Sequence, residues 1–417
     1  MKIGEIPQFG NLEGLVVVFI GNTVAAPFAA ELLAENGANT ICVENSRRPD
    51  IGRVSREPFG FLTEHKNELC VSIDMKPPEG KDVFLRLMQK ANIFIEGLKG
   101  GTFDELGLSD ERLWQVNSRL SIVHVSGYGE TGLPEYVKRA SYDPIGQASG
   151  GFMEINGFPP PSEPLRAPYT CDYITALFAC WSGLAGYIGA LRTGRGESVD
   201  VSQMEVMWKT QFGFPMEYFQ TGKVRTRNGN SERDYLGLGA YLCSDGRYIY
   251  LCCAANGPIR RMLDILGMAD DPAYQKNIQL LPRGDMAAEK LELNIRKFCL
   301  EHTSEEVDSV FNGKGIPCSM IYSIETIQDN PQAKARELFM EWEDKRFGKL
   351  RAVGMVPKMK VRPGRIWSGA HDHGEDSRDV FSELGYAESM IDDLYERGII
   401  SNLKDGGFFG SKKLQIK

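Results

Sequence analysis

Short apolar runs alternate with amphipathic stretches through the first two hundred residues. Residues 15–20, LVVVFI, form a continuous apolar run of strand length, the pattern of a strand covered on both faces. A helix is predicted over 25–35, with Pro27 in its first turn and Gly37 just past its end. The cycle repeats as strand 40–44, strand 70–74, helix 79–90 behind Pro77 and Pro78, strand 93–95 and strand 120–125. Such alternation predicts an α/β fold with a parallel, Rossmann-like sheet. Residues 174–191 are uncharged over a length at which a membrane span becomes a candidate. Thr175, Ser182 and the glycines at 183, 186 and 189 interrupt that run in an otherwise polar chain, which predicts a buried core helix whose small residues let another backbone approach. A strand over 197–201 and a long helix over 202–220 follow.

Beyond 220 the pattern changes. Residues 222–239, GKVRTRNGNSERDYLGLG, are polar and glycine-rich without a helical period, and read as a loop or linker opening a second domain. Strands are predicted at 240–243 and 248–252, joined by the turn Ser244-Asp-Gly-Arg247. Helices are predicted at 257–266, 285–301 and 304–312. From 331 on, polar connections lead to a last helix over 387–397 and a frayed tail over 404–417.

Composition narrows the class. Of 417 residues, 42% are hydrophobic and 25% charged, an ordinary globular balance that excludes a disordered chain. A net charge of −8 argues against a nucleic-acid partner. The nine cysteines are odd in number and include no Cys-x-x-Cys pair, so neither a disulfide framework nor a zinc site is expected, and free thiols in a reducing cytoplasm fit. The N-terminus has no apolar stretch behind basic residues of the kind a signal peptide carries.

Several motifs carry candidate chemistry. Gly127-Tyr-Gly129-Glu-Thr-Gly132 fits the spacing of a dinucleotide-binding loop, but Leu133-Pro134 follows where a helix should open, so the glycines are read as shaping a loop near a ligand. None of the five histidines has metal-ligand spacing, and His371-Asp-His373 is placed in a solvated polar loop. No Gly-x-Ser-x-Gly elbow anchors a Ser/His/Asp triad. Asp172 opens the apolar helix, where free N–H groups and the helix dipole favour its charged form by roughly 0.3–1 kcal/mol. A carboxylate so placed acts either as a nucleophile toward an acyl group or as a helix-capping acid.

The stretches 14–19, 25–27, 36–44, 72–81, 93–96, 125–129 and Gly194-Arg-Gly-Glu-Ser-Val-Asp-Val201, taken in order, resemble the class III CoA-transferases. Within that family, Val43-Glu-Asn45, 93–100, Glu205-Val-Met207 and Glu217-Tyr-Phe219 look most like the carnitine CoA-transferase branch. The resemblance implies a large Rossmann-like domain built from both chain ends, with residues 1–221 and 336–417, and a smaller α+β domain over 222–335. It implies an interlocked homodimer and no permanently bound cofactor or metal. The partners are an acyl-CoA and a small carboxylic acid, with neither nucleic acid nor membrane. Asp172 falls on the family's nucleophile, which would exchange CoA through an aspartyl-CoA thioester. CoA-binding positions fall on Val24, Ala25, Ile73, Lys99, Arg139 and Tyr142, and a substrate-covering loop on Gly127, Gly129, Gly237 and Gly239. The family arginine is missing at Asp104-Glu-Leu-Gly107, leaving Arg47, Arg48, Arg53 or Arg139 to meet that phosphate. Carnitine-like substrates are the expectation, with an aromatic, branched-chain or bile-acid carboxylate as alternative. The aromatic residues Trp208, Phe212, Phe214, Tyr218 and Phe219 suit a trimethylammonium group or a plain core. A 2-methylacyl-CoA racemase would need a histidine where this chain has Tyr142, and its nearest histidine is His124. A dinucleotide oxidoreductase and a non-catalytic acyl-CoA binder are the remaining alternatives.

Overall fold

The structure is a computed structural model that describes residues 1–55, 58–274 and 277–408. The chain divides into two compact units, one of Met1–Phe152, Ala167–Pro215 and the residues from Glu337 on, the other of Met153–Arg166 and Met216–Arg336. Residues 153–166 therefore group with the second unit, not with the stretch 1–221. Within that unit the Arg227 guanidinium donates to the Phe158 carbonyl (3.1 Å) and the Ser162 carbonyl (3.0 Å), tying this early segment to a residue 69 and 65 positions later.

The first unit is built on a six-stranded parallel sheet: β1 (Val16–Gly21), β2 (Asn39–Glu44), β3 (Glu68–Ser72), β4 (Ile93–Gly97), β5 (Ser121–Ser126) and β6 (Ser198–Ser202). The spatial order is β3-β2-β1-β4-β5-β6, all neighbours parallel. Val17, Val18 and Phe19 of β1 are wholly buried, as a continuous apolar run requires when helices cover both sheet faces. The strand order reverses between β1 and β4, and open α/β sheets bind ligands at the carboxyl ends of strands at such a point. Both strands end on glycine there, Gly21 opposite Gly97. A Cβ on either would fall 2.7 or 2.9 Å from the Ala26 side chain, so two glycines let the helix Ala25–Glu35 start directly on the strand ends.

The apolar segment forms the helix Thr170–Thr193, long and apolar enough to cross a membrane. Only one face is buried, which corrects the expectation of a core helix. Cys171, Thr175, Ala176, Ala179, Gly183, Gly186 and Ala190 are the buried side. A Cβ at Gly183 would meet Ile93 and Val123, and one at Gly186 would lie 2.3 Å from Ser121 Oγ, whereas Gly189 faces open space. The small residues face the sheet, and Leu177, Trp181, Ile188 and Leu191 point outward, each about half exposed.

The helix expected over 202–220 is two helices, Gln203–Lys209 and Phe214–Thr221. Phe212 takes a left-handed φ of +51°, and Pro215 sits in the first turn of the second helix, so one continuous helix cannot form. The polar stretch after 331 contains an unforeseen antiparallel hairpin, β10 (Phe339–Asp344) with β11 (Gly348–Val353). Its Trp342 and Leu350 pack with Phe61, Leu62 and Phe408. Phe408 follows a short 3₁₀ turn over Lys404–Gly407, so the frayed tail does not begin at 404; residues 409–417 lie outside the described residues. His371 and His373 are also packed rather than solvated: His371 Nδ1 lies 2.6 Å from Asp376, and buried His373 has Nε2 2.9 Å from the Asn45 carbonyl.

The second unit carries an antiparallel sheet of β7 (Leu238–Leu242), β8 (Tyr248–Cys252) and β9 (Cys318–Met320), covered by the helices Asn256–Ile265, Met286–Glu301 and Ser304–Gly313. All nine cysteines of the chain are free thiols.

Candidate active site

At the strand switch point a cavity of about 210 Å³ opens, lined by Asn22, Thr23 and Ala25 after β1, Gly97–Lys99 after β4 and Ser126–Gly127 after β5. Its far wall is Arg139–Tyr142, Asp172 and Gln203. A larger cavity of about 740 Å³ adjoins it and shares Asn22, Leu98 and Tyr142. Ile20, Val43, Ile73, Met75 and Leu106 make much of its wall apolar, and Arg48 and Lys76 supply cationic groups.

Asp172 owes its place to local backbone geometry. Tyr169 takes a left-handed φ of +55° and turns the chain into the helix Thr170–Thr193, whose third residue is Asp172, 5% exposed. The free N–H groups of that helix start are not left for Asp172. Asp143 Oδ1 accepts from the backbone N–H of Cys171 (2.9 Å) and Asp172 (3.4 Å). Asp143 Oδ2 accepts from Gln147 Nε2 at 2.8 Å, and the Gln147 amide also bonds both backbone groups of Ala167. Asp172 instead accepts from Gln203 Nε2, at 2.6 Å on Oδ1. Burial and the adjacent Asp143 charge push the Asp172 carboxyl up to about 7, against the pull of the Gln203 bond. This reverses the direction expected from a bare helix terminus, because another carboxylate occupies that terminus.

The residues singled out from sequence distribute unevenly. Ala25, Lys99, Arg139, Tyr142, Gly127 and Asp172 line the smaller cavity together, and Ile73 lines the larger one with Tyr142. Val24 is buried at the N-cap of the Ala25–Glu35 helix, outside the lining of both cavities. Gly129 shapes the β5 turn at φ +95°, its N–H donating to Ser126 Oγ at 2.9 Å. Gly237 and Gly239 belong to the second unit, Gly237 in the bend before β7 and Gly239 within that strand. Gly237, at φ +74°, donates its N–H to Glu292 at 3.0 Å, and Gly239 is a β7 residue paired with Leu251. Only a one-turn helix, Pro134–Val137, follows Gly132, so the Gly127–Gly132 motif lacks the helix a dinucleotide loop needs.

Of the arginines weighed for the phosphate, Arg48 lines the larger cavity and Arg139 the smaller. Arg53 is buried and committed: its Nε and Nη2 meet Glu44 Oε1 at 2.8 and 2.7 Å, and its guanidinium lies 4.1 Å from the Phe61 ring centre. Burial alone would raise Glu44, but Arg53 and His373 hold it down to about 2.

His124 is paired on both ring nitrogens, with Glu96 at 2.8 Å and Asp110 at 3.0 Å. Burial works against its charge, yet the two carboxylates raise it to about 10, so it holds its proton and is no base for α-proton removal. Glu96 in turn accepts the Leu98 N–H at 2.8 Å, bracing the loop that carries Lys99. Gln203, Ser141 and Asp143 complete the wall or its support, and no sequence motif marks them. The one available signal is their adjacency to residues that are marked: Tyr142, and the strand ending Val-Asp-Val201-Ser.

Comparison with known proteins shows the family and the fold. The family model described as CoA-transferase family III matches residues 12–377. A bile acid CoA-transferase, BaiK, from Clostridium scindens is 41% identical over 405 residues, 96% of this chain and 92% of the relative. Among solved structures, a CAIB/BAIF family protein from Brucella suis superposes with a TM-score of 0.77 at 24% identity, over 90% of this chain and 100% of that one. The protein Rv3272 of Mycobacterium tuberculosis gives a TM-score of 0.75 at 20% identity, over 89% of this chain and 99% of that one. The α/β fold with its parallel sheet is thus shared with solved structures, and the chain belongs to the class III CoA-transferase family, an enzyme family that moves CoA between carboxylic acids.

Proposed function

We propose that this enzyme transfers CoA from an acyl-CoA to an apolar carboxylic acid of the bile-acid kind through an aspartyl-CoA thioester on Asp172. The observation that carries the mechanism is Asp172 itself: buried, facing the switch-point cavity, with one oxygen held by Gln203 and the other left to react. Carboxylates serve as covalent nucleophiles when desolvated and aligned. The larger cavity suits the nucleotide end of CoA, its apolar wall for the base and Arg48 and Lys76 for phosphate; Lys99 stands in the smaller one, nearer the thioester.

In this reading Asp172 attacks the donor thioester and expels CoA thiolate, giving a mixed anhydride. The thiolate attacks the Asp172 carbonyl carbon, releases the donor acid and leaves the aspartyl-CoA thioester. The acceptor carboxylate attacks that thioester, and the returning thiolate takes the acceptor acyl group. Anhydride and thioester are of comparable reactivity, so no nucleotide hydrolysis is required. Nothing in the reaction needs a resident cofactor.

The relative at 41% identity favours a bile-acid-like substrate over a carnitine-like one. The aromatic residues that would hold a trimethylammonium group form no enclosure within either unit. Phe212 is 93% exposed and Phe219 79% exposed, while Trp208 covers Gly151. Incubation with cholyl-CoA, crotonobetainyl-CoA and short acyl-CoAs, followed by peptide mass spectrometry, tests the reading. The expected result is a CoA adduct on the peptide carrying Asp172, formed fastest from cholyl-CoA and absent in Asp172→Ala. Loading from crotonobetainyl-CoA alone would return the substrate to the carnitine class.

A further inference from the structure

We infer that Gln203 is a catalytic residue, its side-chain N–H stabilising the oxyanion that forms on Asp172 whenever the Asp172 carbonyl carbon is attacked. The inference rests on Asp172 being the nucleophile. Gln203 begins the helix Gln203–Lys209 directly after β6 and is 6% exposed. Its Nε2 donates to Asp172 Oδ1 at 2.6 Å, and its Oε1 accepts from Ser141 Oγ at 2.7 Å. An ionised carboxylate only accepts, so the amide nitrogen must face Asp172, and the Ser141 hydroxyl holds the amide in that sense. The backbone is gripped as well: a Cβ on Gly146 would come within 3.1 Å of the Gln203 Cβ, and Cys171 Sγ lies 3.9 Å from the Gln203 carbonyl.

The electron count shows when this donor matters. In the first step the free oxygen of Asp172 attacks the thioester carbon, the C–S bond breaks and negative charge develops on the donor's oxygen, away from Gln203. In the second step CoA thiolate adds to the Asp172 Cγ. The electron pair of the C=O bond moves onto Oδ1, then returns as the bond to the donor acid breaks and that acid departs with the bridging oxygen. In the third step the acceptor carboxylate adds to the same carbon, Oδ1 again takes the charge, and thiolate leaves. Oδ1 is therefore the oxyanion in both middle steps, and a donor already 2.6 Å away needs no reorganisation to meet it. A neutral amide also suits the first step better than a cation would, because a lysine or arginine at this distance would hold the carboxylate in an ion pair and blunt its attack.

The test separates the middle steps from the first. Wild type, Gln203→Met and Ser141→Ala are mixed with acyl-CoA in rapid-quench experiments, and intact mass follows acyl-Asp172 and CoA-Asp172 before and after an acceptor acid is added. Discharge of the CoA adduct in Gln203→Met is expected to slow about 100- to 1000-fold, the usual cost of removing one oxyanion donor. The acyl adduct should accumulate, and the dissociation constant of acyl-CoA, read from the concentration dependence of adduct formation, should stay within about twofold, since Gln203 holds Asp172 and not the CoA. Ser141→Ala, which removes only the hydroxyl that orients the amide, should slow the same steps to a smaller degree, and it answers the question should Gln203→Met fail to fold. Wild-type discharge in either folded variant overturns the role of Gln203 and leaves the function standing. Absence of any adduct in wild type overturns both.

Discussion

At the residue scale the central feature is a pair of carboxylates competing for one helix terminus. Asp143 takes the N–H groups of Cys171 and Asp172, and Asp172 is left desolvated beside it. With Asp172 pushed up to about 7, the proposed nucleophile is mostly protonated below neutrality and mostly ionised above it. The rate of adduct formation at low acyl-CoA should therefore rise with pH through about 7. Asp143→Asn keeps an oxygen to accept the helix N–H groups but removes the like charge, so its rising limb should move to lower pH; an unmoved limb would mean that burial alone sets the titration. The arginines give a second contrast at this scale. Arg53→Ala strands Glu44 as an unpaired buried carboxylate and should cost about 3–5 kcal/mol in urea denaturation. Arg48→Ala should leave stability within about 0.5 kcal/mol, as surface changes usually do, and raise KM for acyl-CoA.

At the element scale the site depends on how closely one helix can start against two strand ends. Gly97→Ala would place a Cβ 2.9 Å from that of Ala26, with no backbone strain at Gly97 itself to confuse the result. The helix start must retreat or the strand end must shift, at about 1–3 kcal/mol for overpacking, and the cavity between them should bind CoA more weakly. Calorimetry for CoA affinity and denaturation for stability should move together. A stability loss without an affinity loss would separate this junction from the ligand site. The same elements show what the amino-acid pattern discloses. The strand Val16–Gly21 is legible because burial on both faces leaves a uniform apolar run, and the helix Ala25–Glu35 because Pro27 and Gly37 mark its two ends. The hairpin of β10 and β11 is not, because its only buried apolar residues are Trp342 and Leu350, set among charged neighbours with Asp344 buried beside them. The break at Phe212 is invisible for a different reason: a left-handed φ on a phenylalanine is imposed by its surroundings and has no local signature. Asp172 is legible through the family resemblance and its place before an apolar helix. Gln203 and Asp143 act through contacts 31 and 28–29 residues distant in the chain, which no local pattern records.

At the scale of the whole molecule the helix Thr170–Thr193 poses the remaining question, since its outward apolar side chains lack full cover within one chain. Leu177, Trp181, Ile188 and Leu191 are spaced four, seven and three residues apart, which places them on one face, and they are 52%, 57%, 48% and 61% exposed. A lone chain would show water an apolar stripe of the kind that marks an interaction surface. Lipid is a poor cover, because the opposite face of the same helix packs on β4 and β5 through Gly183 and Gly186 and is tied to Ser121 by a hydrogen bond. A second copy of the chain, as the family resemblance implies, would cover the stripe without disturbing the sheet. Light scattering should therefore give twice the chain mass, and dilution should not yield folded monomers if the two chains are interlocked. Trp181→Glu introduces a charge at the centre of the stripe and should lower the melting temperature, or halve the mass, without touching Asp172. A wild-type chain that stays monomeric at micromolar concentration while loading CoA on Asp172 would show that the stripe serves something other than self-association.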